Sequence, residues 1–328
     1  MPVFLSLFNN IIDKMNSERS QKISILIKKI LPLELFNIIQ CYDYYFIGKE
    51  IIYKDLPHIT SIAVYKDVKI IIGLNNGGLQ LFDIENKKIE RIFEGHNDRI
   101  TCITSCKNKI VTGSYDNTIK IWNLNSPYPQ LILSGHTGFI VSIIILGEQI
   151  ISGSWDKSIK IWDSNTGECK NTLLEHIQPI ACLNILPDNK MISADGNSIK
   201  IWNLDNFACL VTLPDKDGII KMNIISDNLI SVITSNDKLA IYNIKEQKYD
   251  LLLEGHNNHV IAMMSLGNNE IITVSYDKTL KIWDLLTGKC IFSIIEGNIT
   301  EDVITFSISK YGYYIINASI KNEIHLIN

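Results

Sequence analysis

The sequence predicts an all-β fold: a closed seven-bladed β-propeller with a short N-terminal α-helical segment. Three observations carry this. Short apolar segments recur about every forty residues. Each period holds several strand-length runs separated by turn residues. One further strand-length run precedes the first period and matches what the last period lacks.

The recurrence is double. One series is ITSIAV (59–64), ITCITS (100–105), IVSIII (140–145), IACLNI (180–185), IIKMNI (219–224), VIAMMS (260–265) and VITFSI (303–308). Their starts lie 41, 40, 40, 39, 41 and 43 residues apart. A second series has its key position at Phe82, Trp122, Trp162, Trp202, Tyr242, Trp283 and Ile327, in step with the first. Four short strands in each period of ~40 residues mark a propeller blade. The units are β in character. KIVTGSYDNTIKIWNL (109–124) and QIISGSWDKSIKIWDS (149–164) each read as two strands around a tight turn carrying Asp116 or Asp156. Helical spacing is absent from this region.

A propeller must not leave a free strand edge. The seventh unit reaches Asn328 straight after its third strand. Outer strands elsewhere read KKIERIFEGH (87–96), PQLILSGH (129–136) and KYDLLLEGH (248–256), and KEIIYKDLPH (49–58) matches them. Residues 49–56 are therefore expected to supply the outer strand of the last blade. That makes 49–328 one propeller domain and 1–48 a helical N-terminal segment.

The units also share polar positions. Gly-His occurs at Gly95-His96, Gly135-His136 and Gly255-His256, and turn aspartates at Asp116, Asp156 and Asp277. Trp-Asp or Trp-Asn occurs at 122–123, 162–163, 202–203 and 283–284. His96, His136 and His176 each precede a Trp by 26 residues, and His256 precedes Trp283 by 27. Over roughly residues 49–328 the chain resembles the WD-repeat family. The resemblance implies a structural network in which the His contacts the turn Asp and a Ser or Thr of the second strand, with the Trp N–H completing it. Its members would be His96, Asp116 and Trp122; His136, Asp156 and Trp162; His176 and Trp202; His256, Asp277 and Trp283. The hydroxyl would come from Thr112 or Ser114, Ser152 or Ser154, and Thr273 or Ser275. The first unit has Asn76 for the turn Asp and no Gly-His, the fifth has Pro214-Asp215 and Tyr242, and the seventh has Gly297-Asn298 and no Trp. Those blades are expected to be looser.

Residues 1–48 do not fit the repeat. Lys22–Ile30 and Leu33–Tyr45 carry apolar residues at helical spacing, with Pro32 between them. A helix from near Leu33 puts Leu35, Ile38, Ile39 and Tyr42 on one stripe. Leu31-Pro32, Glu34-Leu35 and Ile38-Ile39 follow the order LPxELxxxI, so that residues 30–46 resemble the first helix of an F-box. The resemblance implies that Leu31, Pro32, Leu35, Ile38 and Ile39 contact a Skp-type adaptor of a cullin-type ubiquitin ligase. A full F-box has about three helices, and one fits before residue 49. The competing reading is a helix that caps the propeller, with no ubiquitin role.

The bulk numbers narrow the function classes. Net charge is −4 with 20% charged residues, and Arg is confined to Arg19, Arg91 and Arg99. A nucleic-acid binder calls for a basic face. No apolar run reaches the ~18–20 residues of a membrane span. Seven cysteines without CxxC pairs argue against a disulfide framework and a zinc site. They are expected to be buried strand residues of a chain in a reducing compartment, the cytoplasm or nucleus. No metal or cofactor is expected.

Catalytic chemistry is not visible. His96, His136, His176 and His256 fill one slot in four units, which fits a shared structural role. His58, His259 and His325 are isolated. Gly153-Ser154 does not form GxSxG. Gly73–Gly78 does not precede a helix, so it is no phosphate loop. The expected function is a non-enzymatic protein-interaction scaffold that binds proteins or peptides. Residues just before the first strand and just before the turn Asp should meet on one face. The candidates are Arg99, Tyr115, Phe139, Trp155, His259 and Tyr276, because Arg and aromatics are enriched among interface anchors. Three arginines in the chain argue against a multi-Arg phosphate pocket.

Overall fold

The computed structural model describes residues 49–53, 58–65, 69–84, 86–106, 109–267, 269–295, 303–308, 315–319 and 324–327. The readings placed on 1–48, including the F-box-like stretch and its five contact residues, lie outside the described residues. So do 54–56 of the expected closing strand.

The first described strand is β1 (Lys49–Tyr53). Blade 1 follows with β2 (Ile59–Tyr65), β3 (Lys69–Leu74), β4 (Leu79–Asp83) and β5 (Lys88–Phe93). Blade 2 is β6 (Ile100–Cys106), β7 (Lys109–Ser114), β8 (Ile119–Asn123) and β9 (Pro129–Leu133). Blade 3 is β10 (Ile140–Leu146), β11 (Gln149–Ser154), β12 (Ile159–Asp163) and β13 (Cys169–Leu173). Blade 4 is β14 (Ile180–Leu186), β15 (Lys190–Asp195), β16 (Ser198–Asn203) and β17 (Cys209–Pro214). Blade 5 is β18 (Ile219–Ile224), β19 (Leu229–Thr234), β20 (Leu239–Asn243) and β21 (Lys248–Leu252). Blade 6 is β22 (Val260–Gly267), β23 (Glu270–Ser275), β24 (Thr279–Asp284) and β25 (Cys290–Ile295). In each blade the strands pair antiparallel in chain order, as in blade 3.

Residue choice follows position in the blade. Second strands are sandwiched between two neighbouring blades, and five of the six residues of β11 are buried. Burial on both faces calls for a continuous run of apolar or small residues rather than alternation, hence KIVTGS and QIISGS. The outer strand β5 has one wet face and alternates exposed and covered residues.

The core lies between blades. Ile110 and Trp122 of blade 2 pack with Ile71, Leu79, Leu81 and Phe93 of blade 1. Val111, on the opposite face of β7, packs with Ile150 and Trp162 of blade 3. The same relation joins blades 3 and 4, 4 and 5, and 5 and 6. Close approach depends on glycine in the second strand. A Cβ on Gly153 would stand 2.5 Å from Ile180 Cγ2 of the next inner strand.

The expectation of a seven-bladed propeller with a short α-helical segment is corrected. There is no helix among the described residues, and the blades described through their side-chain packing number six, not seven. The remaining strands, β1, β26 (Val303–Ile308), β27 (Ile315–Ser319) and β28 (Ile324–Ile327), form one more four-stranded sheet, described by its backbone pairing. Its order is β1-β28-β27-β26, with β26 beside both β22 and β2. The sequence period counts units. It does not tell which of them carry the packed interface, and the last unit has neither the Gly-His nor the Trp of its neighbours.

Blades 1 and 5 have buried side chains where the repeated network is missing. Where blade 2 has Thr112 and Trp122, blade 1 has Ile72 and Phe82, both fully buried. Blade 5 has Val232 and Tyr242 there, also buried. At these two positions Ile72 with Phe82, and Val232 with Tyr242, stand in for the hydroxyl and the indole that pair in blade 2, so that neither half of that pair is left alone.

The cysteines differ from expectation too. The six described are free; Cys169 and Cys290 are exposed and the other four half-buried. Cys169, Cys209 and Cys290 open outer strands, opposite Trp162, Trp202 and Trp283. That slot lies on the outer edge of the blade rather than between blades.

Candidate functional site

The polar residues that repeat are consumed by the scaffold. In blade 3, Trp162 donates its indole N–H to Ser152 Oγ at 2.8 Å. Ser152 Oγ lies 2.8 Å from His136 Nε2, and His136 Nδ1 lies 2.7 Å from Asp156 Oδ2. Proton accounting fixes the roles. A hydroxyl that accepts from Trp has its own proton free for Nε2. The imidazole then carries its proton on Nδ1 and donates it to the carboxylate. Burial lowers His136 below the ordinary histidine value, against the raising effect of Asp156, so that the ring stays neutral.

The carboxylate is saturated. Asp156 Oδ2 accepts from His136 and from the Thr137 N–H at 2.9 Å. Its Oδ1 accepts from the Ser158 N–H at 2.9 Å and the Ser158 hydroxyl at 2.6 Å. Burial raises its pKa, but these hydrogen bonds outweigh it and pull Asp156 down to about 2. Four donors fill its four lone-pair directions, leaving none for a metal or a substrate.

Three other blades repeat the arrangement. Blade 2 joins Trp122, Thr112, His96 and Asp116 through contacts of 2.8, 2.7 and 2.7 Å. Blade 6 joins Trp283, Thr273, His256 and Asp277 through 2.7, 2.7 and 2.9 Å. In blade 4 the chain runs Trp202, Ser193, His176 and Asp195. The choice between hydroxyls is settled. Thr112, Ser152 and Thr273 complete the chain, while Ser114, Ser154 and Ser275 bind backbone carbonyls of the Gly-His loop at 2.8–2.9 Å.

Asp195 was missed in the sequence. The blade 4 turn is shorter, and its aspartate falls at the end of β15, where other blades have Ser114 or Ser154. The signal was present in Asp195 lying one residue nearer its His than Asp116 or Asp156. Blade 5 uses a different device: Tyr249 O–H donates to Asp215 Oδ1 at 2.9 Å, and the Ile219 N–H to Asp215 Oδ2 at 3.0 Å. Repeat matching could not find it, because Tyr249 is on the outer strand.

The face candidates fall into two groups. A backbone bond places their loops side by side. The Tyr115 N–H donates to Arg99 O, Trp155 to Phe139 O and Tyr276 to His259 O, each at 2.9 Å. Tyr115 stacks on Phe139 of the next blade, with centroids 4.1 Å apart and planes 11° apart. Phe139 meets Trp155 at 5.4 Å, and Arg99 lies over Tyr115 at 5.6 Å. These four form one arc across blades 2 and 3, with Trp155 52% exposed. His259 and Tyr276 form a separate T-shaped pair at 6.2 Å in blade 6. His259 Nδ1 is taken up by a hydrogen-bond contact with Asp237, a residue the sequence reading did not single out.

Comparison with known proteins gives the family. Residues 87–123, 127–163, 167–203 and 247–284 match the family "WD domain, G-beta repeat". The chain is a WD-repeat β-propeller protein. Proteins of this kind are generally non-catalytic interaction scaffolds. Blades 1 and 5 fall mostly outside the matched segments, as their replaced networks would lead one to expect. Among its relatives, the F-box/WD repeat-containing protein 7 of Drosophila melanogaster is 39% identical over 44 residues, 13% of this chain and 3% of that protein. The F-box/WD repeat-containing protein sel-10 of Caenorhabditis elegans is 36% identical over 64 residues, 20% of this chain and 11% of that one. The probable E3 ubiquitin ligase complex SCF subunit scon-2 of Neurospora crassa is 42% identical over 55 residues, 16% and 8% respectively. These stretches span about a tenth or less of each relative's length. No group of three or more metal-ligating side chains that could hold an ion occurs among the described residues, nor does any helix long and apolar enough to cross a membrane.

Proposed function

We propose that this WD-repeat protein is a non-enzymatic interaction scaffold. Its loop face seats another protein or peptide, and its N-terminal segment docks a Skp-type adaptor, making it a substrate receptor of an SCF-type ubiquitin ligase. One observation carries the scaffold reading. The repeated ionisable groups are saturated by internal bonds, whereas the aromatic arc of Arg99, Tyr115, Phe139 and Trp155 has an open side. Catalysis needs an available acid, base or nucleophile; interface anchoring needs exposed aromatics and Arg. The adaptor reading is supported by the LPxELxxxI order at Leu31, Pro32, Leu35, Ile38 and Ile39 and by the names of the F-box/WD relatives.

Co-purification of the full chain with a Skp-type adaptor tests it. The wild type should retain the adaptor at micromolar concentration, and Leu35→Asp with Ile38→Asp should lose it without changing the propeller melt. Wild type without affinity for the adaptor would leave the scaffold alone, and a melt lowered by the paired substitution would identify a capping helix.

A further inference from the structure

The arc on blades 2 and 3 has a charge character as well as an apolar one. Arg99 places its guanidinium over the Tyr115 ring, and its backbone N–H is held by Asp98 Oδ1 at 2.7 Å. The guanidinium itself makes no ion pair or hydrogen bond among the described residues. Lys157, in the turn that carries Trp155, is exposed and its ammonium is likewise unpaired among them. Across the face the polar groups are engaged: Lys238 pairs with Asp217 at 2.9 Å, and the His259 ring contacts Asp237. Blades 2 and 3 thus hold free positive charge beside open aromatic surface, while the turn carboxylates Asp116 and Asp156 are engaged by the internal networks.

Resting on the scaffold reading above, we propose that this arc binds an extended peptide segment in which an aromatic or branched aliphatic side chain adjoins a carboxylate. The apolar side chain covers Phe139 and Trp155, and the carboxylate accepts from Arg99. An Arg fork suits a planar carboxylate, and its stacking on Tyr115 limits the entropy lost on engagement. Linked contacts of 5.6, 4.1 and 5.4 Å give an arc no longer than about 15 Å. That is the reach of roughly four or five extended residues, so the ligand is a short linear segment. One guanidinium with one flanking ammonium supplies few donors, and a dianionic phosphate gains most from several, so that phosphate holds no large advantage over a singly charged carboxylate.

The test is selection of phage-displayed random dodecapeptides on the full chain, with titration of the enriched peptides followed by the fluorescence of Trp155. The other tryptophans are at most 1% exposed, which leaves Trp155 as the responsive one. Enriched sequences should carry Asp or Glu within two residues of Phe, Tyr, Trp, Leu or Ile. Trp155→Ala, which lacks that reporter, should abolish their binding in isothermal titration calorimetry. Arg99→Gln should weaken them about tenfold while leaving their Asn or Gln analogues unchanged. Phosphoserine in place of the acid should change affinity less than threefold. Enriched peptides without an acid rule, or indifferent to Trp155→Ala, would overturn this assignment and leave the scaffold reading in place. A tenfold gain from phosphoserine, or equal losses for acid and amide peptides in Arg99→Gln, would also overturn it. Absence of any enrichment on the wild type would overturn it too, with adaptor binding judged separately by the co-purification.

Discussion

Replacing Trp162 by Ala removes packing between blades 3 and 2 together with the indole bond to Ser152 inside blade 3. The side chain is 1% exposed and packs with Val111, Ile119, Ile121 and Leu133 of blade 2. A Trp buries ~150–250 Å², about 4–6 kcal/mol at ~25 cal/mol per Å². A compact unfolded chain reduces that by roughly 10–40%, and the lost N–H bond to Ser152 adds about 1 kcal/mol. The expected cost is about 3–5 kcal/mol, in line with large-to-small changes in other cores. For roughly 280 residues at ~2.1 cal/mol/K each, Tm should fall by about 5–8 °C. Scanning calorimetry or a fluorescence melt measures it. Trp155→Ala, at a half-exposed position on the face, is the control and should cost less than about 1.5 kcal/mol. Equal melting temperatures for wild type and Trp162→Ala, or a greater loss in Trp155→Ala, would refute the assignment of inter-blade packing to the repeated Trp.

Two further outcomes follow from the same geometry. Burial holds His96, His136, His176 and His256 below the ordinary value of 6.5, so the unfolded chain binds more protons as pH falls through 6.5. Urea midpoints should therefore be level above about pH 7.5 and decline on acidification through 6.5 and below. Asp156 and Asp277, at about 2 in the fold against 3.8 unfolded, add a further loss between those values; a midpoint rising from pH 7 to 5 would contradict the neutral buried imidazoles. Separately, deleting residues 1–53 removes β1 from beside β28 and should cause aggregation by exposing a sheet edge. Deleting 1–48 should be tolerated, and a soluble, monomeric, cooperatively folding 54–328 fragment would show that β1 is dispensable.

How much was legible in the sequence depended on how directly a residue's role was tied to its spacing. The second strands could be read because burial on both faces forces runs such as KIVTGS, and the networks because His, Asp and Trp keep one register. Asp195 escaped because a shortened turn moved the carboxylate into a serine slot while keeping its bonds. The choice of Thr112 over Ser114 was open because both hydroxyls are buried on the same strand, and pairing with Trp122 alone separates them. What stands in for the network in blades 1 and 5 was not legible, because Ile72 with Phe82 and Val232 with Tyr242 fill the space without a polar motif. Blade number was overread from periodicity. On the face, the positions of Arg99, Tyr115, Phe139 and Trp155 could be inferred from the loops, but their stacking could not, since it joins residues of different blades.

The repeated His–Asp–Ser/Thr–Trp chains are architecture whose polar groups are used up internally, and the proposed function lies on the loop face. Nitrogen-15 NMR of the histidine rings tests this most directly. Four of the seven imidazoles, those of His96, His136, His176 and His256, should be neutral at pH 7 with the proton on Nδ1, and should remain so until the protein unfolds in acid. Protonation of any of the four near pH 6.5 in the folded protein, or a proton resting on Nε2, would contradict the account.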